Sequence, residues 1–157
     1  MNQIQVIDLL EEFESNFLNK SFLSTFFKKK IKLSGFYLFG DVGVGKTMLL
    51  NFFYNNLDIP KQRLHFNEFM ISFHDHAHNH KKINKGNSIK SFVNKIKEEC
   101  ELIYFDEFQV TNIVDAMIIE GLFKTMFNKN IKIILTSNVK IKNLYKDGLQ
   151  REQFLPF

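Results

Sequence analysis

Two glycines, a lysine and a threonine in the spacing G-x-x-x-x-G-K-T form the pattern with the clearest chemical meaning in this chain. The pattern begins at Gly40 and ends with Lys46 and Thr47. In such a loop, glycines let backbone N–H groups surround phosphates, the lysine reaches the β- and γ-phosphates, and the hydroxyl can ligate Mg²⁺. The residues expected to contact the nucleotide are Gly40, Asp41, Val42, Gly43, Val44, Gly45, Lys46, Thr47 and Met48.

Two carboxylates follow an apolar run that lies about 60 positions after the glycine-rich loop. Residues 102–105 read LIYF, which is typical of a strand buried on both faces, and Asp106 and Glu107 come directly after it. Ligands of parallel α/β sheets lie beyond the carboxyl ends of the strands, so Asp106 is expected beside Thr47 as a Mg²⁺ ligand. Glu107 is then placed to polarise a water molecule for attack on the γ-phosphate. The alternative is that both carboxylates only solvate a strand end or cap a helix.

Two further polar residues are candidates for the same site. Asn138 comes just after the predicted strand at 131–135, and its amide can orient the attacking water or contact the γ-phosphate. The alternative for Asn138 is an ordinary turn residue. Arg151 can enter a neighbouring subunit's site in a head-to-tail assembly and stabilise transition-state charge, or it can be a structural or surface arginine.

Four histidines alternate along residues 74–80. On a helix, His74 with His78, or His76 with His80, would stand four positions apart and could chelate a transition metal. No carboxylate or cysteine set completes such a site, so we favour a polar helix end that binds nickel only adventitiously.

These residues need strands and helices in alternation to bring them together. Apolar runs predict strands at 36–39, 102–105 and 131–135, and alternation of polar and apolar residues predicts one at 63–66. Helices are expected over 4–17, from the loop to about residue 57, over 68–80, over 88–101 and from 112 onward, with a loop at 81–87. This order implies a parallel sheet with right-handed crossovers. The expected core-facing residues are Ile4, Ile7, Leu10, Phe13 and Phe17 in the first helix, Leu49, Phe52, Phe53 and Leu57 in the second, Ile89, Phe92, Val93 and Ile96 in the fourth, and Val114, Met117, Ile118, Phe123, Met126 and Phe127 in the last.

Composition limits the class of protein. A chain of 157 residues with 45% apolar residues fits one domain with a sizeable core. The net charge of +4 would permit contact with nucleic acid, but basic and acidic residues are interspersed, and a nucleic-acid partner is not expected. The dense basic cluster, Lys28, Lys29, Lys30 and Lys32, fits a solvated helix end better than a nucleic-acid patch. With one cysteine, no apolar run near 18 residues and an acidic N-terminus, a cytoplasmic protein is expected.

Taken together, the motifs resemble the AFG1/ZapE-like family of AAA+-type P-loop ATPases. The resemblance is carried by residues 40–49, 105–111 with 115–118, 136–138 and 144–157, and it extends from about residue 35 to the end. The run 106–117 and the final block are more specific than a generic pair of Walker motifs. The resemblance implies an α/β three-layer sandwich with a central parallel sheet, in which 1–34 form an N-terminal amphipathic helical segment and 35–157 the ATPase core.

The resemblance also implies a function. Members of the family bind and cleave Mg·ATP, and here Lys46, Thr47, Asp106 and Glu107 would do so. Hydrolysis is coupled to remodelling of a protein client, which in bacteria is similar to the FtsZ division ring and in mitochondrial relatives belongs to protein quality control. A homo-oligomer is expected for a full-length member of this family.

The sequence departs from the family pattern at three points. Val44 stands where relatives carry a basic residue, and Asn112 stands where they carry Asp. The chain ends at Phe157, before the fifth core strand, the sensor-2 arginine and the lid, as in a truncated product or a fragment of a longer reading frame. The sheet is therefore expected to expose an edge beside the P-loop strand. Two alternatives stay open: a nucleotide-binding module without turnover, and a helicase-loader-like ATPase that binds DNA through its basic excess.

Overall fold

The structure is a computed structural model, and it describes residues 3–18, 34–41, 43–83 and 88–146. Helices and strands alternate through most of this length, and a short 3₁₀ turn, Ile141–Asn143, follows the last strand. In chain order the elements are α1 (Gln3–Leu18), β1 (Gly35–Phe39), α2 (Lys46–Asn56), β2 (Lys61–His65), α3 (Phe66–Ile83), α4 (Ser88–Glu99), β3 (Leu102–Asp106), α5 (Ile113–Asn128) and β4 (Lys132–Ser137).

The four strands form one parallel sheet in the order β1-β4-β3-β2. In β3 and β4 every residue is buried, and for β3 this burial is what its continuous apolar run predicts. All four strands end at the same edge of the sheet, where Phe39 pairs with Ser137 and His65 pairs with Asp106. The predicted α/β class with a central parallel sheet is confirmed, and β1, the strand before the P-loop, lies at an edge of the described sheet as expected.

Helices cover both faces of the sheet and make two apolar cores. One face packs against α3, α4 and α5, where the Phe105 ring lies 4.7 Å from that of Phe69 and stacks on Phe123 at 5.8 Å. The other face packs against α1 and α2, with Phe13 and Tyr104 among its fully buried side chains. Successive residues of a strand point to opposite faces, so Tyr104 and Phe105 serve different cores.

Several predicted boundaries are wrong by a few residues. Phe66 was expected to end the second strand, but it begins α3, and its ring packs 4.6 Å from that of Phe108. Helix α3 runs to Ile83, so the loop predicted at 81–87 is wrong for 81–83, and 84–87 lie outside the described residues. Helix α4 ends at Glu99, and β4 extends through Ser137. Asn112 caps α5 as its type suggests, and its side chain accepts from Asp115 N.

Three helices bury only some of the residues predicted for their core faces; Leu10, Phe13, Phe123 and Met126 are buried as predicted. In α1, Ile4 is 68% exposed and Ile7 is exposed, while Val6, Leu10 and Phe13 are buried; the side chain of Phe17 lies outside the described ones. In α2, Phe52 is 72% exposed, and Leu50 takes the buried position. In α5, Val114 and Met117 face solvent, and the residues in the core are Ala116, Ile119, Leu122, Phe123 and Met126. These helices carry apolar residues on most sides, so periodicity alone does not select the buried face.

Candidate functional site

The loop between β1 and α2 has the backbone that its glycines predict. Gly43 and Gly45 have φ of 85° and 83°, a left-handed conformation that other residues adopt only at a cost. A Cβ added to Gly40 would lie 3.2 Å from Val44 Cγ2 and 3.3 Å from Lys46 Cδ, so the loop is tightly closed there. Gly45 directly precedes α2, whose first N–H groups and helix dipole favour an anion.

Lys46 joins the ends of two neighbouring strands. Its Nζ donates to Gly40 O at 2.6 Å and to Asp41 O at 2.7 Å within the loop. It also donates to Asn138 Oδ1 at 3.2 Å, just beyond the end of β4. The structure thus brings Asn138 to the P-loop lysine, and the backbone bond from Gly40 N to Ser137 O supports the same approach.

Asp106, the last residue of β3, has donors on both carboxylate oxygens. Oδ1 accepts from Thr136 Oγ1 at 2.6 Å, and Oδ2 accepts from Arg63 Nη2 at 2.5 Å. Burial acts to raise the pKa of this carboxyl, but hydrogen bonds from Thr136 and Arg63, the charge of Arg63 and the N–H of Glu107 together bring the pKa below its usual value. Asp106 is therefore ionised at neutral pH and fixed in orientation.

Tyr104 lies two residues before Asp106 on β3. Its side chain is fully buried, and its oxygen makes no hydrogen bond of standard geometry to any described residue. Burial raises the pKa of the phenol, and the charge of Asp106 raises it further, whereas the hydroxyls of Thr136 and Thr47 and the charge of Arg63 lower it. The Thr47 hydroxyl and the Asp106 carboxylate are oxygen ligands of the kind that hydrated Mg²⁺ prefers, and the buried Tyr104 oxygen, which has no described hydrogen-bond partner, can bond to a water that the ion retains.

Glu107 occupies a turn directly after β3. It is exposed, and its φ of 55° is uncommon outside glycine and is typical of functional or strained positions. Its N–H donates to Thr136 Oγ1 at 3.2 Å. With Asn67 and Asp115, Glu107 lines a cavity of about 230 Å³. In the described part of the chain, no hydrogen bond or ion pair joins its carboxylate to Lys46 or Thr47.

A cavity of about 360 Å³ opens beside the P-loop. Its walls include Gly40 and Lys46 from the loop, Leu38 from β1, Leu49 from α2 and Val6 from α1. This volume falls in the range of about 300–1,000 Å³ usual for ligand sites. A larger, mostly apolar cavity of about 510 Å³ lies between the start of β1 and α5, away from the converging polar residues, and we place the site at the P-loop.

Other predicted features lie outside the described residues or take a different role. Val42, Arg151 and the lysines at 28–32 are not among the described residues. His74 Nε2 lies 2.8 Å from Asp115 Oδ1, and the described ranges contain no group of three or more His, Cys, Asp or Glu residues arranged to bind a metal. No helix in those ranges is both long enough and apolar enough to cross a membrane.

Arg63 was not predicted as part of the site. It pairs in register with Tyr104, two residues before Asp106 on the neighbouring strand. An arginine as the first residue of a predicted strand is the available sequence signal, but which strand lies next to β3 cannot be read from spacing.

The chain matches one family model over nearly its whole length, residues 2–157, and that model describes the AFG1-like ATPase. The chain belongs to the AFG1-like ATPase family. It is 42% identical over 133 residues to Lactation elevated protein 1 homolog B of Danio rerio, a match covering 78% of this chain and 26% of that protein. It is 39% identical over 129 residues to Cell division protein ZapE of Escherichia coli K12, covering 82% of this chain and 34% of that protein. The chain thus spans about a quarter to a third of these curated relatives.

Solved structures of replication initiators share the fold. A DNA replication initiation factor matches with a TM-score of 0.63 at 18% identity, covering 97% of this chain and 43% of that chain. Domain III of the replication initiation protein DnaA from Thermotoga maritima matches with a TM-score of 0.63 at 15% identity, covering 98% of this chain and 60% of that chain. A replication initiator DnaA bound to AMPPCP and single-stranded DNA matches with a TM-score of 0.58 at 18% identity, covering 92% of this chain and 42% of that chain. At these identities the likeness shows a P-loop AAA+ fold and nothing about ligands of this chain.

Proposed function

We propose that this chain binds ATP with Mg²⁺ and hydrolyses it. The observation that carries the proposal is the contact of Lys46 Nζ with Asn138 Oδ1, which joins the phosphate-binding loop to a second strand end. Asp106 ends the strand next to β4 and is bonded to Thr136. Membership of a family of ATPases supports the same chemistry.

Each residue has a distinct part in this proposal. Lys46 and the loop N–H groups bind the phosphates, and Asn138 contacts the γ-phosphate or orients the attacking water. Thr47 and Asp106 would hold Mg²⁺, whose charge offsets the negative charge that develops on the phosphates. Glu107 takes the proton of the water, and Arg151 of a neighbouring copy stabilises charge in the transition state.

We further propose that hydrolysis drives the remodelling of a protein client. The name of the Escherichia coli relative, Cell division protein ZapE, supports a role in cell division. As the client we propose an FtsZ-like division protein, and we propose that the step takes place in the bacterial cytoplasm, within a homo-oligomer of the full-length protein. The chain spans only 26–34% of the length of these relatives, so the activity and client of a whole protein are part of this proposal.

A second candidate function is nucleotide binding without turnover. It is favoured by the position of Glu107, which lines a cavity with Asn67 and Asp115 and makes no described contact with the loop lysine. In this candidate function the chain alone does not activate a water molecule. Turnover would require a rearrangement of Glu107 or a residue from a neighbouring subunit.

Binding and turnover are to be measured separately on the 157-residue chain. A fluorescent ATP analogue reports binding, and steady-state phosphate release reports turnover. We expect Lys46→Ala to weaken binding at least about tenfold, since a charged hydrogen-bonding group contributes roughly 1.5–3 kcal/mol. Glu107→Gln should retain binding and lose about a hundredfold or more in turnover. Lys124→Ala, a lysine on the exposed side of α5, is the matched control and should behave as wild type.

The outcomes separate the two functions. Wild-type protein that does not bind the analogue refutes both. Wild-type protein that binds ATP but releases phosphate no faster than Glu107→Gln supports the binding module.

A further inference from the structure

Arg63 contacts the carboxylate that the proposed Mg²⁺ site requires. Its Nη2 lies 2.5 Å from Asp106 Oδ2, while Oδ1 of the same carboxylate accepts from Thr136. Both oxygens are therefore bonded to groups of the protein itself. A divalent cation served by Asp106 would stand close to the guanidinium, and like charges at such a range repel strongly in a partly buried site.

The position of Arg63 follows from the sheet. Residue 63 pairs with residue 104, so the two side chains share a face, and the Arg63 guanidinium lies 5.0 Å from the centre of the Tyr104 ring. This cation–π contact and the ion pair direct the arginine along the strand toward Asp106.

The two partners differ in their access to solvent. The Arg63 side chain is 37% exposed and that of Asp106 is 11% exposed. Withdrawing the arginine into water is therefore easier than moving the carboxylate, which Thr136 also holds. Arg63 lies on β2, an edge strand of the described sheet, where a long side chain has room to turn outward.

We propose that Arg63 is a positioning residue that competes with Mg²⁺ for Asp106. It orients the carboxylate, and it gives up Oδ2 when the Mg²⁺ complex of the nucleotide binds. This inference rests on the proposed function. Its consequence is that Arg63 sets the Mg²⁺ concentration at which nucleotide binding is enhanced, without affecting how the loop binds phosphates in the absence of metal.

The test is a titration of nucleotide affinity with Mg²⁺. The 157-residue chain is mixed with the fluorescent ATP analogue in EDTA and then at rising free Mg²⁺, for wild type, Arg63→Gln and Arg63→Met. We expect both variants to lower the half-maximal Mg²⁺ concentration about fivefold or more, the coupling expected when a competing group is removed. Affinity in EDTA should stay within about twofold of wild type, because Arg63 is not part of the loop.

Lys61→Gln is the matched control. Lys61 lies on the same strand and the same face two residues earlier, and its ammonium stands over the Tyr54 ring at 4.9 Å and donates to Leu57 O. The Lys61→Gln substitution removes one positive charge that does not contact Asp106, so the half-maximal Mg²⁺ concentration should stay at the wild-type value. In an Asp106→Asn background, Arg63→Gln should no longer shift the midpoint.

The results distinguish this inference from the proposed function. Suppose that wild-type binding responds to Mg²⁺ but the half-maximal Mg²⁺ concentration is unchanged or raised in Arg63→Gln and Arg63→Met. This result overturns the competition between Arg63 and Mg²⁺ and leaves the proposed function standing. Wild-type protein that does not bind the analogue overturns the proposed function and the inference with it. Arg63→Met retains the apolar stem over Tyr104 and serves as the test if the glutamine variant does not fold.

Discussion

Thr136→Val tests whether the polar end of the sheet is held as the structure shows. The Thr136 hydroxyl is buried, donates to Asp106 Oδ1 at 2.6 Å and accepts from Glu107 N at 3.2 Å. Valine has almost the same shape, so the substitution removes hydrogen bonds without opening a cavity. A hydrogen bond to a charged group is worth about 1.5–3 kcal/mol, and Asp106 is too buried for water to replace it fully. The exposed Glu107 adds little, so we expect a loss of about 2 kcal/mol.

A loss of this size is measurable by thermal unfolding. In a domain of this length 1 kcal/mol corresponds to about 2–4 °C, so Tm should fall by about 4–8 °C at pH 7. Thr125→Val is the control, since its hydroxyl donates only to Gly121 O within α5. That change should stay within about 0.5 kcal/mol.

The pH dependence of this effect has a definite sign. The pKa of Asp106 is lowered in the folded protein, so its stabilising contribution is fully present above its ordinary value of 3.8 and is lost as pH falls through the folded-state pKa. Without the Thr136 donor the folded-state pKa rises, so the Tm gap between wild type and variant is full at pH 7 and narrows in acid. A gap below about 1 °C at pH 7, or one that widens in acid, would refute the reasoning.

Three other substitutions or probes report on separate parts of the fold. Asn112→Ala removes the cap of α5 and should lower Tm by about 2–4 °C, for a loss near 1 kcal/mol; an unchanged Tm contradicts the cap. In Gly43→Ala the added Cβ meets no neighbouring atom, but the alanine must adopt a φ of 85°. The backbone cost of about 1–2 kcal/mol should weaken binding of the ATP analogue about five- to thirtyfold in the fluorescence assay. The Cys100 thiol is buried, and burial raises its pKa to about 11. Its reaction with a disulfide reagent at pH 8 should therefore be roughly a hundredfold slower in the folded protein than in denaturant. Equal rates would show that Cys100 is accessible.

The features that the sequence could predict are those that depend on short stretches of chain. The strand ending in Asp106 is recognisable because burial on both faces requires a continuous apolar run, and β3 has one. The left-handed turns at Gly43 and Gly45 follow from local backbone geometry. Asn112 could be placed as a cap because its partner, Asp115 N, is three residues away.

The features that could not be predicted depend on partners far along the chain. Met117 looks like a core residue in a helix with apolar groups on most sides, but the sheet packs on another face, and Met117 is 59% exposed. The site role of Arg63 requires β2 to lie beside β3, a neighbour relation 43 positions apart that spacing does not encode. Phe66 joined the helix because aromatic contacts with Phe105 and Phe108 outweigh its preference for a strand.

The pairing of β1 with β4 has a consequence for local unfolding. In the described sheet β4 is the one strand beside β1, and the backbone bond from Gly40 to Ser137 lies just ahead of the contact of Lys46 with Asn138. Fraying of this ladder would separate the two ends that meet at Lys46 while β2 and β3 stay paired. Slowed amide hydrogen exchange on ligand binding should therefore be concentrated along β1 and β4.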